Sequence, residues 1–191
     1  IPEGVVNLEG ACFKNCNALK SVTIPSSVRK AGSWTFAGCT GLAEMTLCEG
    51  LTEIGGAMFQ NCTALSRISI PESVKWIGDQ AFSGCTALTN VTIPKNVTSI
   101  GQYAFEGCAR LTSVTIPEGV TYIGVGAFSS CTELSAIRVE ANNTAYYSDA
   151  FGVLYNNEKT ELIQAPAKAR LGDYVVPEGV TSIGNEAFNG C

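Results

Sequence analysis

Six cysteines, Cys16, Cys39, Cys62, Cys85, Cys108 and Cys131, stand 23 residues apart, and Cys191 follows 60 residues later. Three residues before each lies a phenylalanine: Phe13, Phe36, Phe59, Phe82, Phe105, Phe128 and Phe188. The two columns anchor seven copies of one pattern, Ile-Pro-x-x-Val-x-x-Ile-Gly-x-x-Ala-Phe-x-x-Cys. A fixed period of this length marks a solenoid, because one unit cannot bury its own apolar face and must stack on its neighbours. With 46% apolar residues the chain has the material for a core, and stacking makes that core a continuous column. We expect a single solenoid over residues 1–191. Both ends fall in mid-pattern, which reads as a piece of a longer array.

Residues 88–110 show the unit clearly. Leu88-x-x-Val91-x-Ile93 alternates apolar and polar positions and is rich in β-branched side chains, which predicts a short strand with Val91 and Ile93 inward and Asn90 and Thr92 outward. Pro94 removes a donor and ends that ladder. Val97 and Ile100 supply a second inward pair. Gly101 shares a column with Gly32, Gly55, Gly78, Gly124 and Gly184, and a positive φ is expected there, at the next bend. Ala104 and Phe105 read as one helical or 3₁₀ turn, after which Cys108 closes the coil.

The order Leu-x-x-Val-x-Ile resembles the strand half of a leucine-rich repeat. The fuller pattern, with Ile-Pro, Ile-Gly, Ala-Phe and Gly-Cys or Ser-Cys at these offsets, is similar to the BspA-like leucine-rich repeat family. It is carried best by residues 70–92, 93–115, 116–138 and 176–191, and the likeness runs over essentially the whole chain. The fold class implied is α/β: a right-handed, β-dominated leucine-rich-repeat solenoid with a parallel sheet on its concave face and short helical or 3₁₀ turns. The resemblance also implies a surface-exposed or secreted binding protein, from a family linked to adhesion to host proteins, whose members differ in ligand.

One unit departs in length. Residues 139–175 are 37 long, 14 more than the others, and end in Leu171-Gly-Asp-Tyr174-Val-Val176, which restores the strand pattern. Inside, Gly152-Val-Leu-Tyr155 and Glu161-Leu-Ile-Gln164 flank a polar Asn156-Asn157-Glu158-Lys159-Thr160, the signature of a β-hairpin. This expansion is either a decoration that widens the coil or a protruding part of a binding surface. Tyr146 and Tyr147, just before the hairpin, would add aromatic contact area.

Composition excludes several functions. Histidine is absent, which removes the usual general base, the Ser-His and Cys-His nucleophile systems and the commonest metal ligand. We expect no catalytic residue, no cofactor and no metal. The net charge is −5 and the 12 Lys and Arg form no run, so nucleic acid is not an expected partner. No apolar stretch approaches the ~20 residues that cross a bilayer, so no membrane insertion is expected in this segment. In-register cysteines of adjacent coils carry parallel Cα–Cβ vectors, so buried free thiols bonded to loop carbonyls are expected, not disulfides. Cys12, in an alanine column, and Cys48, in a proline column, remain candidates for an irregular bridge or an exposed thiol.

Stacked strands would form a continuous sheet with two outward columns. One reads Ser21, Glu44, Arg67, Asn90, Ser113, Ala136 and Asp173; the other reads Thr23, Thr46, Ser69, Thr92, Thr115, Arg138 and Val175. The candidate partner-binding residues are Glu44, Arg67, Asn90, Thr92, Thr115, Arg138, Tyr146, Tyr147 and Asp173, on a polar face suited to a host or cell-surface protein or to a glycan. Glu44 and Arg67 are expected as an exposed ion pair, and Arg138 is expected beside Asp173. The hydroxyl column also fits strand propensity and cross-strand pairing alone, which leaves open a structural spacer that projects another domain.

Overall fold

A computed structural model describes residues 1–169, 172 and 174–191. Each coil carries two short strands on two faces. The first face runs through Ser21–Ile24, Glu44–Leu47, Arg67–Ser69, Asn90–Thr92, Ser113–Ile116 and Ala136–Val139. The second runs through Asn7–Leu8, Lys30–Ala31, Glu53–Ile54, Trp76–Ile77, Ser99–Ile100, Tyr122–Ile123 and Ser182–Ile183. Pairing between coils is parallel and in register at 23 residues, as in Arg67↔Asn90 and Ser69↔Thr92. The second face holds four strands in one sheet, from Glu53–Ile54 to Tyr122–Ile123. The first face is not the continuous sheet expected, for its strands join two by two into three separate pairs.

The core is the predicted column. Leu42, Leu65, Leu88, Leu111 and Leu134 are fully buried, as are Val28, Val74, Val97 and Val120 and Ile54, Ile77 and Ile100. The phenylalanines stack from Phe13 to Phe128 with centroids 5.2 to 5.8 Å apart and planes within 15° of parallel. Beside them Cys39, Cys62, Cys85, Cys108 and Cys131 donate Sγ–H to the carbonyls of Phe13, Phe36, Phe59, Phe82 and Phe105 at 3.0 to 3.3 Å. Each thiol thus satisfies a carbonyl of the preceding coil. Burial pushes the Cys62 and Cys131 thiols up to about 12. All nine cysteines are free: Cys12 is exposed and Cys48 half-buried.

Three expectations fail for local reasons. No helix or 3₁₀ turn occurs among the described residues, so the class is β-solenoid and not α/β. In residues 57–62 the amides alternate: Ala57, Phe59 and Asn61 donate to the next coil's Asp79, Ala81 and Ser83, while Met58, Gln60 and Cys62 close turns onto Gly55, Ala57 and Phe59. A 3₁₀ segment needs consecutive amides, and the inter-coil ladder takes every second one. The glycine column of Gly101 does not take positive φ; that conformation falls two residues later, at Trp34, Ala57, Gln80 and Tyr103, and just before the cysteine, at Asn15, Gly38, Asn61, Gly84 and Gly107. Gly101 is required instead by close approach, because a Cβ there would stand 2.5 Å from Asp79 N. Finally, Tyr174–Val176 forms no strand. The edge of Ala136–Val139 is covered by the insertion, with Ile137 N–H donating to Gly152 O at 3.0 Å and Val139 N–H to Ser148 Oγ at 3.1 Å.

The insertion folds as three antiparallel strands, Tyr146–Ser148, Leu154–Asn156 and Glu161–Gln164, the last two being the predicted hairpin. Glu161–Gln164 then pairs in parallel with Ser182–Ile183, so the hairpin stands in for a coil. Asn143, 6% exposed, pins its start: Nδ2 donates to Pro117 O and Val120 O, and Oδ1 accepts from Ala145 and Tyr146 N–H, all at 2.7 to 3.0 Å. Asp149 ties its far side, accepting from Phe151 and Val153 N–H at 2.9 Å and from Tyr174 OH at 2.9 Å.

Candidate functional site

The outward residues of the first face carry the predicted alternation. Glu44, Arg67, Asn90, Thr92, Thr115 and Arg138 are all exposed, while Met45, Ile68, Val91, Val114 and Ile137 between them are buried. Register sets their neighbours: Ser21 beside Glu44, Thr23 beside Thr46, Arg67 beside Asn90, Ser113 beside Ala136, and Thr115 beside Arg138. Pairing in register at 23 residues turns each sequence column into a row of side chains at strand spacing, about 4.8 Å. The face therefore offers polar groups at fixed intervals with little charge.

Asn90, Thr92 and Thr115 are brought together. They line a groove of about 170 Å³ with Ser113, Pro117 and Glu140. Its walls are two hydroxyl rows, one amide and one carboxylate; Glu140 is already engaged, accepting Glu118 N–H at 3.0 Å. The volume is below the range of small-molecule cavities, and suits one side chain or a single sugar hydroxyl edge of a larger partner. Ser113 and Glu140 were not singled out from sequence. Ser113 lies in the listed outward column, but Glu140 follows the strand, and only the coil geometry folds it back.

The remaining residues lie apart. The expected Glu44–Arg67 ion pair is not formed among the described residues, where Lys168 pairs with Glu133 instead. Both Glu44 and Arg67 are exposed, and two solvated side chains give up hydration and rotamer freedom for little gain. Arg138 ends the column, since the insertion and not another strand follows it, and Asp173 lies outside the described residues. Tyr146 is half-buried and does structural service, its hydroxyl accepting Ile123 N–H at 2.8 Å; burial first of all pushes its pKa up. Tyr147 is exposed at 37%, with Lys159 Nζ 4.0 Å from its ring centroid. The pair forms a cation–π contact at the hairpin tip, which sequence placed in one insertion without joining. No group of three or more Cys, Asp or Glu is arranged for a metal ion among the described residues, and no helix there is long and apolar enough to cross a membrane.

The chain matches the family model for the BspA type leucine-rich repeat region, in six copies, over residues 1–85 and 58–191. A comparison with curated proteins returns no match. Among solved structures, it is similar to a leucine-rich cell surface protein from Faecalibacterium prausnitzii, with 32% identity, a TM-score of 0.74, and coverage of 100% of this chain and 59% of that one. The pneumococcal vaccine antigen PcpA matches at 27% identity and a TM-score of 0.78, over 89% of this chain and 42% of that one. A leucine-rich repeat protein from Eubacterium ventriosum matches at 26% and 0.63, over 78% and 45%. The chain thus spans between 42% and 59% of the length of these relatives.

Proposed function

This chain belongs to the BspA type leucine-rich repeat family, and on that footing we propose that it is a non-catalytic binding and adhesion module of a cell-surface or secreted protein. Its partner is a protein or a glycan, met by the outward columns of the first face together with the exposed tip of the insertion. The observation that carries this reading is the variety of the first column, Ser21, Glu44, Arg67, Asn90, Ser113 and Ala136, on strands whose inward residues repeat almost unchanged. A spacer needs only the inward pattern. The names of the relatives, a leucine-rich cell surface protein and a vaccine antigen, support a surface location. The near-uniform hydroxyl column of Thr23, Thr46, Ser69, Thr92 and Thr115 favours the second reading, a structural array that projects another domain.

The test is biolayer binding of the chain to fibronectin, fibrinogen and a glycan panel, beside Arg67→Ala/Arg138→Ala and Tyr147→Ala/Lys159→Ala double variants. These four residues are exposed, so folding should be preserved, whereas deleting the hairpin would strip Ser182–Ile183 of its partner strand. Saturable binding weakened by the first variant supports the strand face, and by the second the insertion tip. No binding to any probe by the folded chain favours the spacer.

A further inference from the structure

Between the sixth coil and the last, the stack misses a step. Earlier coils are joined by a recurring set of main-chain bonds. Gly101 N–H donates to Ile77 O at 2.8 Å, and the carbonyls of Gln102 and Ala104 accept from Gln80 and Phe82 N–H at 2.8 and 2.7 Å. Gly124, Val125 and Ala127 repeat the set on Ile100, Tyr103 and Phe105. On the sixth coil it stops: among the described residues nothing donates to Ile123 O, and the buried Gly126 and Phe128 offer N–H groups that find no acceptor. The last coil bonds elsewhere. Gly184 N–H donates to Leu162 O, and Ala187 O accepts from Ala165 N–H.

The insertion makes an incomplete coil. Cys191 Sγ reaches Ala165 O at 3.8 Å, the bond that the other cysteines make to a phenylalanine carbonyl, so Ala165 stands in the phenylalanine column and supplies a methyl where a ring is due. Leu162 to Ala165 spans three residues where Ile100 to Phe105 spans five. The shortened turn leaves a cleft of about 510 Å³ between residues 121–128 and the hairpin, within the range of ligand sites. Two buried polar side chains point to an absent occupant. Ser129 Oγ is buried with no partner, whereas Ser83 in the same column donates to Glu106 of the next coil at 3.2 Å. Gln164, 3% exposed, lines the cleft; its Nε2 makes long contacts of 3.4 Å to carbonyls and its Oε1 accepts nothing among the described residues. Tyr122, Val125 and Ile183 form an exposed apolar rim.

We propose that this cleft is a peptide-binding site, a vacant coil position that takes a short glycine-led segment of a partner protein by main-chain pairing to Ile123 O, Gly126 N–H and Phe128 N–H. One open carbonyl followed by two open amides asks for a donor and then two acceptors along one chain, and a peptide backbone supplies them in that order. Buried amides left unpaired are costly, so filling the position is favoured. Glycine must lead, because in the intact coils the residue that donates to the isoleucine carbonyl has no room for a Cβ: at Gly78 it would stand 2.8 Å from Gly56 N. An apolar residue should follow, to replace the ring missing over Phe128. The lining includes Glu161 and no Lys or Arg, so neutral or basic segments are preferred. The site is separate from the strand face and stands whether or not that face binds.

The test titrates a capped octapeptide copying residues 98–105, Thr-Ser-Ile-Gly-Gln-Tyr-Ala-Phe, into the isotope-labelled chain. The amide resonances of Gly126 and Phe128 should shift and their deuterium exchange slow by at least about tenfold, with Asn90 and Thr115 unmoved. A peptide with valine in place of the glycine, or methylated on the glycine nitrogen, should have no effect. Asn185→Trp, an exposed lining position, should block the response, and Arg67→Ala/Arg138→Ala should leave it intact, which separates this site from the strand face. Gly126 and Phe128 amides that stay unmoved at millimolar peptide overturn the proposal. So does an equal response to the valine peptide, or a response of these amides to an oligosaccharide but not to the peptide.

Discussion

Replacing Gly101 by alanine should cost far more than replacing Gly107, although only Gly107 has the left-handed backbone usually held to demand glycine. Gly107 has φ +66, and an added Cβ would meet nothing nearer than 3.8 Å. Its substitution therefore carries only the conformational penalty of an L-residue there, about 1–2 kcal/mol. Gly101 has no unusual φ, but its Cβ would lie 2.5 Å from Asp79 N and 2.6 Å from Gly78 C, both main chain. Relief to an ordinary contact of 3.4 Å requires the two coils to part by about 0.9 Å. That would stretch three bonds of 2.8 Å beyond hydrogen-bonding range, to about 3.7 Å: Gly101 N–H to Ile77 O, Gln102 N–H to Asp79 Oδ1, and Gln80 N–H to Gln102 O. At about 1 kcal/mol each the loss is about 3 kcal/mol, before any cost to the core column. Urea unfolding of the two variants, analysed by linear extrapolation, decides it. A Gly107→Ala cost equal to or above that of Gly101→Ala would refute the argument that inter-coil spacing, and not backbone conformation, holds this column as glycine.

The phenylalanine stack should show an end effect: Phe82→Ala removes a fully buried ring with neighbours at 5.3 and 5.2 Å and should cost about 3–5 kcal/mol, whereas half-buried Phe13, stacked on one side only, should cost under about half of that in the same unfolding assay. The chain should lose stability as pH is raised from about 9 towards about 12. The buried thiols of Cys62 and Cys131 have folded pKa values above the model value of 9.0, so their contribution is fully present below the unfolded pKa and lost as pH rises through the folded one. Half-buried Tyr146 adds to the same trend, and a Cys62→Ser/Cys131→Ser variant should flatten it in a pH series of denaturation midpoints. Asn143→Ala should cost about 2–4 kcal/mol, since it strands Pro117 O and Val120 O and frees the amides of Ala145 and Tyr146, and limited proteolysis should then cut within 144–160 sooner than in the parent chain.

Much of the fold is legible in the repeat. The 23-residue period dictates in-register stacking, the apolar positions dictate which side chains enter the column, and the hairpin over 152–164 follows from two apolar runs around a polar turn. The outward columns of the strand face were readable for the same reason, alternation with period two. Other features are relations between coils that a single unit does not display. The helical turn expected at Ala104 and Phe105 is overruled by bonds to the neighbouring coil, and Glu140 enters the groove beside Asn90 and Thr92 only because the chain turns back over the strand. Tyr146, counted with Tyr147 as contact area, is drawn inward to cap the open Ile123 amide, so two adjacent tyrosines have opposite fates.

By itself, the sequence determined the repeat unit, its inward residues, the free-thiol column and the family, because each depends on periodicity along one chain and is written several times over. Only the tertiary structure decided what happens at the single irregular unit. There Ala165 replaces a ring and the turn is two residues shorter than in the other coils. Whether such a unit closes against the sixth coil or leaves Gly126 and Phe128 unpaired depends on the distance between two backbones, a quantity that no pattern of residue types contains.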